Sequence, residues 1–115
     1  MIWLAVALGS AAGGLLRFGL STWLTGRVLP FPWPILLINV AGSFLIGWWL
    51  KSPLPPTWRA FLVPGLCGGF TTFSTFSADT LAVWELSPVR AVAYVLASVG
   101  LSLGAAWLGM TVRRP

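Results

Sequence analysis

The chain has no histidine and only two acidic residues, Asp79 and Glu85. Two carboxylates cannot supply side-chain ligation of a metal together with paired acid and base groups, so the chain is not read as an enzyme. Its single cysteine, Cys67, cannot close an intrachain disulfide, and within an apolar run it reads as a small packed hydrophobe. Charged residues make up 8% of the chain against 57% hydrophobic, and mean hydropathy is +0.90. A soluble fold lacks the polar surface it needs at that composition, so the chain is a membrane protein. Its net charge of +5 comes from Arg17, Arg27, Lys51, Arg59, Arg90, Arg113 and Arg114, which are scattered. They form no nucleic-acid patch and suit anchoring to the anionic headgroups of a lipid bilayer.

A long polar segment is missing as well. A secretory leader would place one apolar run ahead of a polar remainder, whereas apolar runs here recur to the last few residues, so no removed targeting segment is expected. A chain of 115 residues suits one domain, 1–115. A spanning helix needs ~20 apolar residues for a hydrocarbon core ~30 Å thick. The stretches 2–25, 33–50, 58–84 and 89–112 meet this. They are separated by "GRVLPFP" (26–32), "KSPLPPT" (51–57) and "ELSP" (85–88), whose proline, glycine, serine and charge break helices. An all-α protein with four transmembrane helices is expected, multi-pass in the cell's inner (plasma) membrane. Both termini then share a side with Lys51, Arg59, Arg113 and Arg114, opposite Arg27 and Arg90. This bias is weak and permits either insertion.

Small residues recur four apart at Gly9 and Gly13, Gly65 and Gly69, and Gly100 and Gly104. Each pair alone reads as helix packing within one subunit. Four short helices enclose little space, so a pathway through them requires an oligomer.

Residues 68–77, "GGFTTFSTFS", set two glycines, three phenylalanines and five hydroxyls in a ten-residue stretch. As one helix, residues 58–84 would run ~40 Å, more than the membrane core requires. Pro64 removes a donor and leaves the Ala60 carbonyl without its helical partner, and glycines follow at 65, 68 and 69. A break is expected between Gly68 and Thr72, and backbone freed at mid-membrane survives only against protein or water. Its carbonyls can bind a cation. Phe73 and Phe76 share a face beyond it, among the hydroxyls of Thr72, Ser74, Thr75 and Ser77. Either their positive ring edges attract an anion, or the rings face lipid while the hydroxyls bond back to carbonyls four residues earlier.

"GGFTTFSTFS" resembles the signature of the Fluc/CrcB fluoride channels, small four-span membrane proteins. The resemblance extends to "GGLLRFG" with Arg17, to "INVAGSFLIG" with Asn39, and to Tyr94, Ser98 and Ser102 at four-residue spacing. It implies an antiparallel, dual-topology dimer of identical or related chains, with two fluoride pores along the interface. It also implies a structural sodium ion, not transported, held by the backbone carbonyls of Gly68 and Thr71, with glycine allowing an unusual turn at 68. Phe73 and Phe76 correspond to the pore phenylalanines, Asn39 to an amide donor, and Tyr94, Ser98 and Ser102 to a polar track, with Ser74 and Thr75 also expected in the pore. Arg17 then belongs to a vestibule or a subunit contact, or else snorkels roughly 12 Å to the end of its span. Asp79 stands where many members have glutamate. Pro34 and Ile35 replace a frequent Gly-Thr, removing one hydroxyl donor. The implied function is passive export of fluoride that enters as neutral hydrogen fluoride and dissociates inside.

Two other classes compete. A small four-helix proton-coupled multidrug exporter has similar size and hydropathy but needs a carboxylate in its first span, and the only charge there is Arg17. A non-transporting scaffold would use the hydroxyls as interhelical glue.

Overall fold

The computed structural model describes residues 1–25 and 32–113, and their regular structure is entirely helical. In chain order these are α1 (Ile2–Thr25), α2 (Trp33–Leu50), α3 (Pro56–Ala60), a π-helical stretch (Phe61–Cys67), α4 (Gly68–Phe70), α5 (Phe73–Leu86) and α6 (Pro88–Arg113). The bounds expected for the first two stretches coincide with α1 and α2, and α6 extends the fourth by one residue at each end. Most of the first link, 26–31, with Arg27, lies outside the described residues, as does Arg114.

Proline lies in the first turn of these helices, where its missing N–H does no harm: Pro34 is the second residue of α2, and Pro56 and Pro88 are the first of α3 and α6. The link between α2 and α3 is tied by side chains. Ser52 Oγ donates to the Trp48 carbonyl at 2.8 Å, and the Arg59 guanidinium donates to the Ser52 carbonyl at 2.8 Å.

α1, α2 and α6 are each long and apolar enough to cross a membrane. Trp3, Leu15, Phe18, Leu96, Leu103 and Trp107 are exposed along them. Water would penalise such a surface, and lipid does not. The longest molecular dimension is 46 Å, enough to traverse a core ~30 Å thick.

Backbone contact at glycines sets the packing. α1 lies on the π-helical stretch and α4, and a Cβ at Gly9 would run into the Phe61 carbonyl, at Gly13 into that of Leu66, and at Gly69 into that of Ser10. Gly9 and Gly13 thus meet Gly65 and Gly69, and the packing expected of each pair is internal to the subunit. α2 meets α6 the same way, Gly47 against the Ala106 carbonyl and Gly109 against that of Phe44. The third pair departs from the expectation: a Cβ at Gly100 or Gly104 would meet nothing within 4 Å, so among the described residues these glycines pack against no other helix. The buried core lies elsewhere, where Ile35, Leu36 and Ile38 of α2 meet Phe76 of α5 and Tyr94 of α6.

Pro64 does not orphan a carbonyl in the way the sequence suggests. It sits inside the π-helical stretch, where each carbonyl pairs with the N–H five residues on, as Val63 does with Gly68. The carbonyl four residues before the proline is thereby offered the N–H of residue 65.

Gly69→Ala is expected to destabilise the protein by about 1–3 kcal/mol, because the obstructing atoms are backbone and cannot swing away. Gly19→Ala, where no atom lies within 4 Å, should be neutral or gain up to about 1 kcal/mol of helix propensity. Thermal unfolding in detergent compares the two; equal midpoints would contradict the glycine-contact packing.

Candidate functional site

The helical run from residue 56 to 86 is interrupted by two extended residues. Thr71 has φ −84°, ψ 156° and Thr72 has φ −149°, ψ 127°. This lies at the C-terminal end of the interval where the sequence places a break. Gly68 is not the pivot: its φ −62°, ψ −38° is ordinary helix, and no described glycine has positive φ. The turn is made by threonines, whose β-branched side chains favour extended backbone.

Side chains from three elements hold the interruption. The Thr72 N–H donates to Asn39 Oδ1 at 3.0 Å, and Asn39 Nδ2 donates back to the Thr72 carbonyl at 3.2 Å. Asn39 thus replaces the ladder contacts that residue 72 loses by leaving the helix, and one N–H of its amide remains for another acceptor. Arg17 Nε donates to the Gly69 carbonyl at 3.2 Å, which places this arginine at the break and not at the end of its span. Thr72 is also the N-cap of α5, its hydroxyl accepting the Thr75 N–H at 3.2 Å. Ser74 Oγ lies 3.2 Å from the Thr72 hydroxyl, which donates to Thr75 Oγ1 at 3.3 Å. Ser74 and Thr75 are thereby engaged in the cap.

The carbonyl oxygens of Gly68 and Thr71 receive no hydrogen bond from the described residues, whereas those of Gly69 and Thr72 on the same turn are taken by Arg17 and Asn39. Exposed carbonyls end α4 and N–H groups begin α5, so the interruption places partial negative and partial positive charge a few residues apart.

Beside it runs a groove of about 350 Å³ lined by Asn39 and Ser43 from α2, Thr71 and Thr72, Phe73 and Phe76 from α5, and Ser98 and Ser102 from α6, with Ile46, Val99 and Leu103. No lining side chain is ionisable in the physiological range. Phe76 is buried and Phe73 is 77% exposed at the rim, with ring centroids 5.4 Å apart. Tyr94 lies wholly buried beneath, its ring 5.2 Å from that of Phe76, and its hydroxyl faces Ser98 one turn on.

Of the residues singled out from sequence, the groove gathers Asn39, Thr71, Phe73, Phe76, Ser98 and Ser102. Gly68, Ser74, Thr75, Tyr94, Arg17 and Asp79 are not on its lining. Ile35, at the departure from Gly-Thr, is a core residue. Two polar lining residues are not among the site candidates read from sequence. Thr72 stands there only as one of several hydroxyls, and Ser43 follows Asn39 by one helical turn in "INVAGSFLIG", a spacing that would have found it.

A bundle of apolar helices around a largely apolar groove that carries several hydroxyls and one amide defines a multi-pass helical membrane protein. Residues 4–110 match the family model described as CrcB-like protein, Camphor Resistance (CrcB), and the chain belongs to that family. It is similar to the fluoride-specific ion channel FluC of Rhizobium meliloti (strain 1021), 42% identical over 118 aligned positions covering 96% of this chain and 94% of the relative. The FluC of Thermus thermophilus is 45% identical, covering 93% and 89%. That of Saccharophagus degradans is 44% identical, covering 91% and 84%.

Asn39→Ala leaves the N–H and carbonyl of Thr72 without the partners they have here, at about 1–3 kcal/mol for buried groups. Amide hydrogen exchange at Thr72 is expected to rise by at least about tenfold, with exchange in the middle of α1 unchanged. Equal protection of Thr72 in variant and parent would show that Asn39 does not hold the interruption.

Proposed function

We propose that this protein is a fluoride-selective channel of the plasma membrane that exports cytoplasmic fluoride by passive electrodiffusion and so lowers its toxicity. The observation that carries the reading is the groove: neutral donors and two aromatic rings meet on one surface beside a helix N-terminus. Fluoride is small and strongly hydrated, so a pore must replace its water with several donors, none binding so tightly that exit becomes slow. The hydroxyls of Ser98 and Ser102, the remaining Asn39 N–H and the positive edges of Phe73 and Phe76 are donors of that kind. A fixed cation in the groove would be a trap, and none lines it. The membrane potential, negative inside, drives the anion outward.

Residues 56–86 supply the remaining span in this reading, with Thr71 and Thr72 at mid-bilayer. The groove is one wall of the pathway, open where Phe73 is exposed, and a second copy inserted antiparallel closes it. Residues facing outward at the rim, Phe73 and Leu103 among them, then face the partner. The carbonyls of Gly68 and Thr71 suit a hard cation such as sodium. Two oxygens are too few, and the copy related by a two-fold axis supplies two more. A sodium ion so placed locks the two interruptions together and gives the nearby groove a positive bias. Arg17 and Asn39 leave those oxygens available by occupying their neighbours.

A proton-coupled exporter is disfavoured because α1 carries no carboxylate and the groove none either.

Purified protein in liposomes is expected to release fluoride rapidly while retaining chloride and a lipophilic cationic drug; chloride release at a similar rate, or no anion release, would overturn the channel reading. Replacing both Phe73 and Phe76 with Ile should abolish fluoride efflux while the protein still elutes as a dimer, and unchanged efflux would remove the rings from the pathway. Exchanging sodium for a much larger cation should lower efflux and loosen the dimer; indifference of both would remove the carbonyl-bound ion.

A further inference from the structure

Hydroxyl groups in apolar helices often satisfy themselves by bonding to the carbonyl four residues earlier, and six in this chain do. Thr22, Ser52, Thr71, Ser77, Thr80 and Thr111 each donate to the carbonyl four positions back, at 2.7–3.0 Å. Ser43 and Ser102 make no such bond, nor any other among the described residues, and both line the groove. In a membrane a hydroxyl without a partner is held at a cost unless something enters to use it.

Ser43 stands one turn beyond Asn39, and residues 35, 39 and 43 follow one stripe of α2. Ile35, first on that stripe, is apolar and sits in the core, 5% exposed. The donors of α2 therefore lie at Asn39 and Ser43, facing Ser98 and Ser102 on α6 across the groove. We propose that Ser43 is a fluoride-binding residue, forming with Asn39 a donor pair on α2 opposite the serine pair on α6. The inference rests on the channel reading above. On it, an anion leaving Asn39 meets its next donor on the same helix ~6 Å away, one turn along. This spacing compensates for the hydroxyl that Ile35 lacks.

Fluoride efflux from liposomes is measured for the parent, Ser102→Ala, Ser43→Ala, Ser43→Thr and Ser10→Ala. Ser10 is the control, a hydroxyl on α1 that also makes no hydrogen bond but lies away from the groove. Ser43→Ala is expected to lower efflux about tenfold, the effect of one lost donor to a charged ligand. Ser43→Thr should restore most of it, Ser10→Ala should match the parent, and every variant should elute as the parent does. Parent-level efflux in Ser43→Ala beside reduced efflux in Ser102→Ala overturns the role of Ser43 and leaves the channel standing. A loss in Ser43→Ala that Ser43→Thr does not recover assigns Ser43 to packing, against the proposal. A parent that releases no fluoride overturns both.

Discussion

Backbone polar groups cannot be left unsatisfied inside a bilayer, and the architecture of this chain follows from how two residues meet that constraint. Thr71 and Thr72 leave the helix, a departure that an apolar solvent would forbid without partners for the freed groups. They can do so because Asn39 reaches from α2 to grip both the N–H and the carbonyl of Thr72, and because the Thr72 hydroxyl restarts the helix as α5. The exchange leaves specific atoms uncommitted: two carbonyl oxygens, one amide N–H and the first N–H groups of a new helix. The proposed function uses these.

Close approach of backbones makes the grip possible. Glycines on α1 and on the interrupted segment remove the side chains that would hold the helices apart, which lets Arg17 reach the Gly69 carbonyl. Glycines at 47 and 109 do the same for α2 and α6, so Asn39 and Ser43 come opposite Ser98 and Ser102. The groove is therefore set by small residues outside it. Its neutrality has a separate origin: the only acids are Asp79 and Glu85, and neither lines it.

The positions of the helices were legible because proline and glycine mark the ends of apolar runs whose length the bilayer fixes, and α1 and α2 end where those runs do. The interruption was legible from "GGFTTFSTFS", but its pivot was not. Glycine permits unusual backbone without requiring it, and the residues that turn are threonines whose extended conformation depends on a partner 33 positions away. The consequence of Pro64 was also hidden, since a π-helical stretch satisfies a carbonyl that local rules would leave bare. Ser74 and Thr75 read as pore hydroxyls because sequence does not tell a capping hydroxyl from a free one. The one-turn spacing from Asn39 pointed to Ser43, but nothing local marks its hydroxyl as unbonded.

Backbone carbon chemical shifts of Thr71 and Thr72, measured by solid-state NMR in lipid bilayers, test the central claim most directly. The account expects strand-like shifts at both residues between helical values at Phe70 and Ser74. Helical shifts continuous from Gly68 to Phe76 would contradict it.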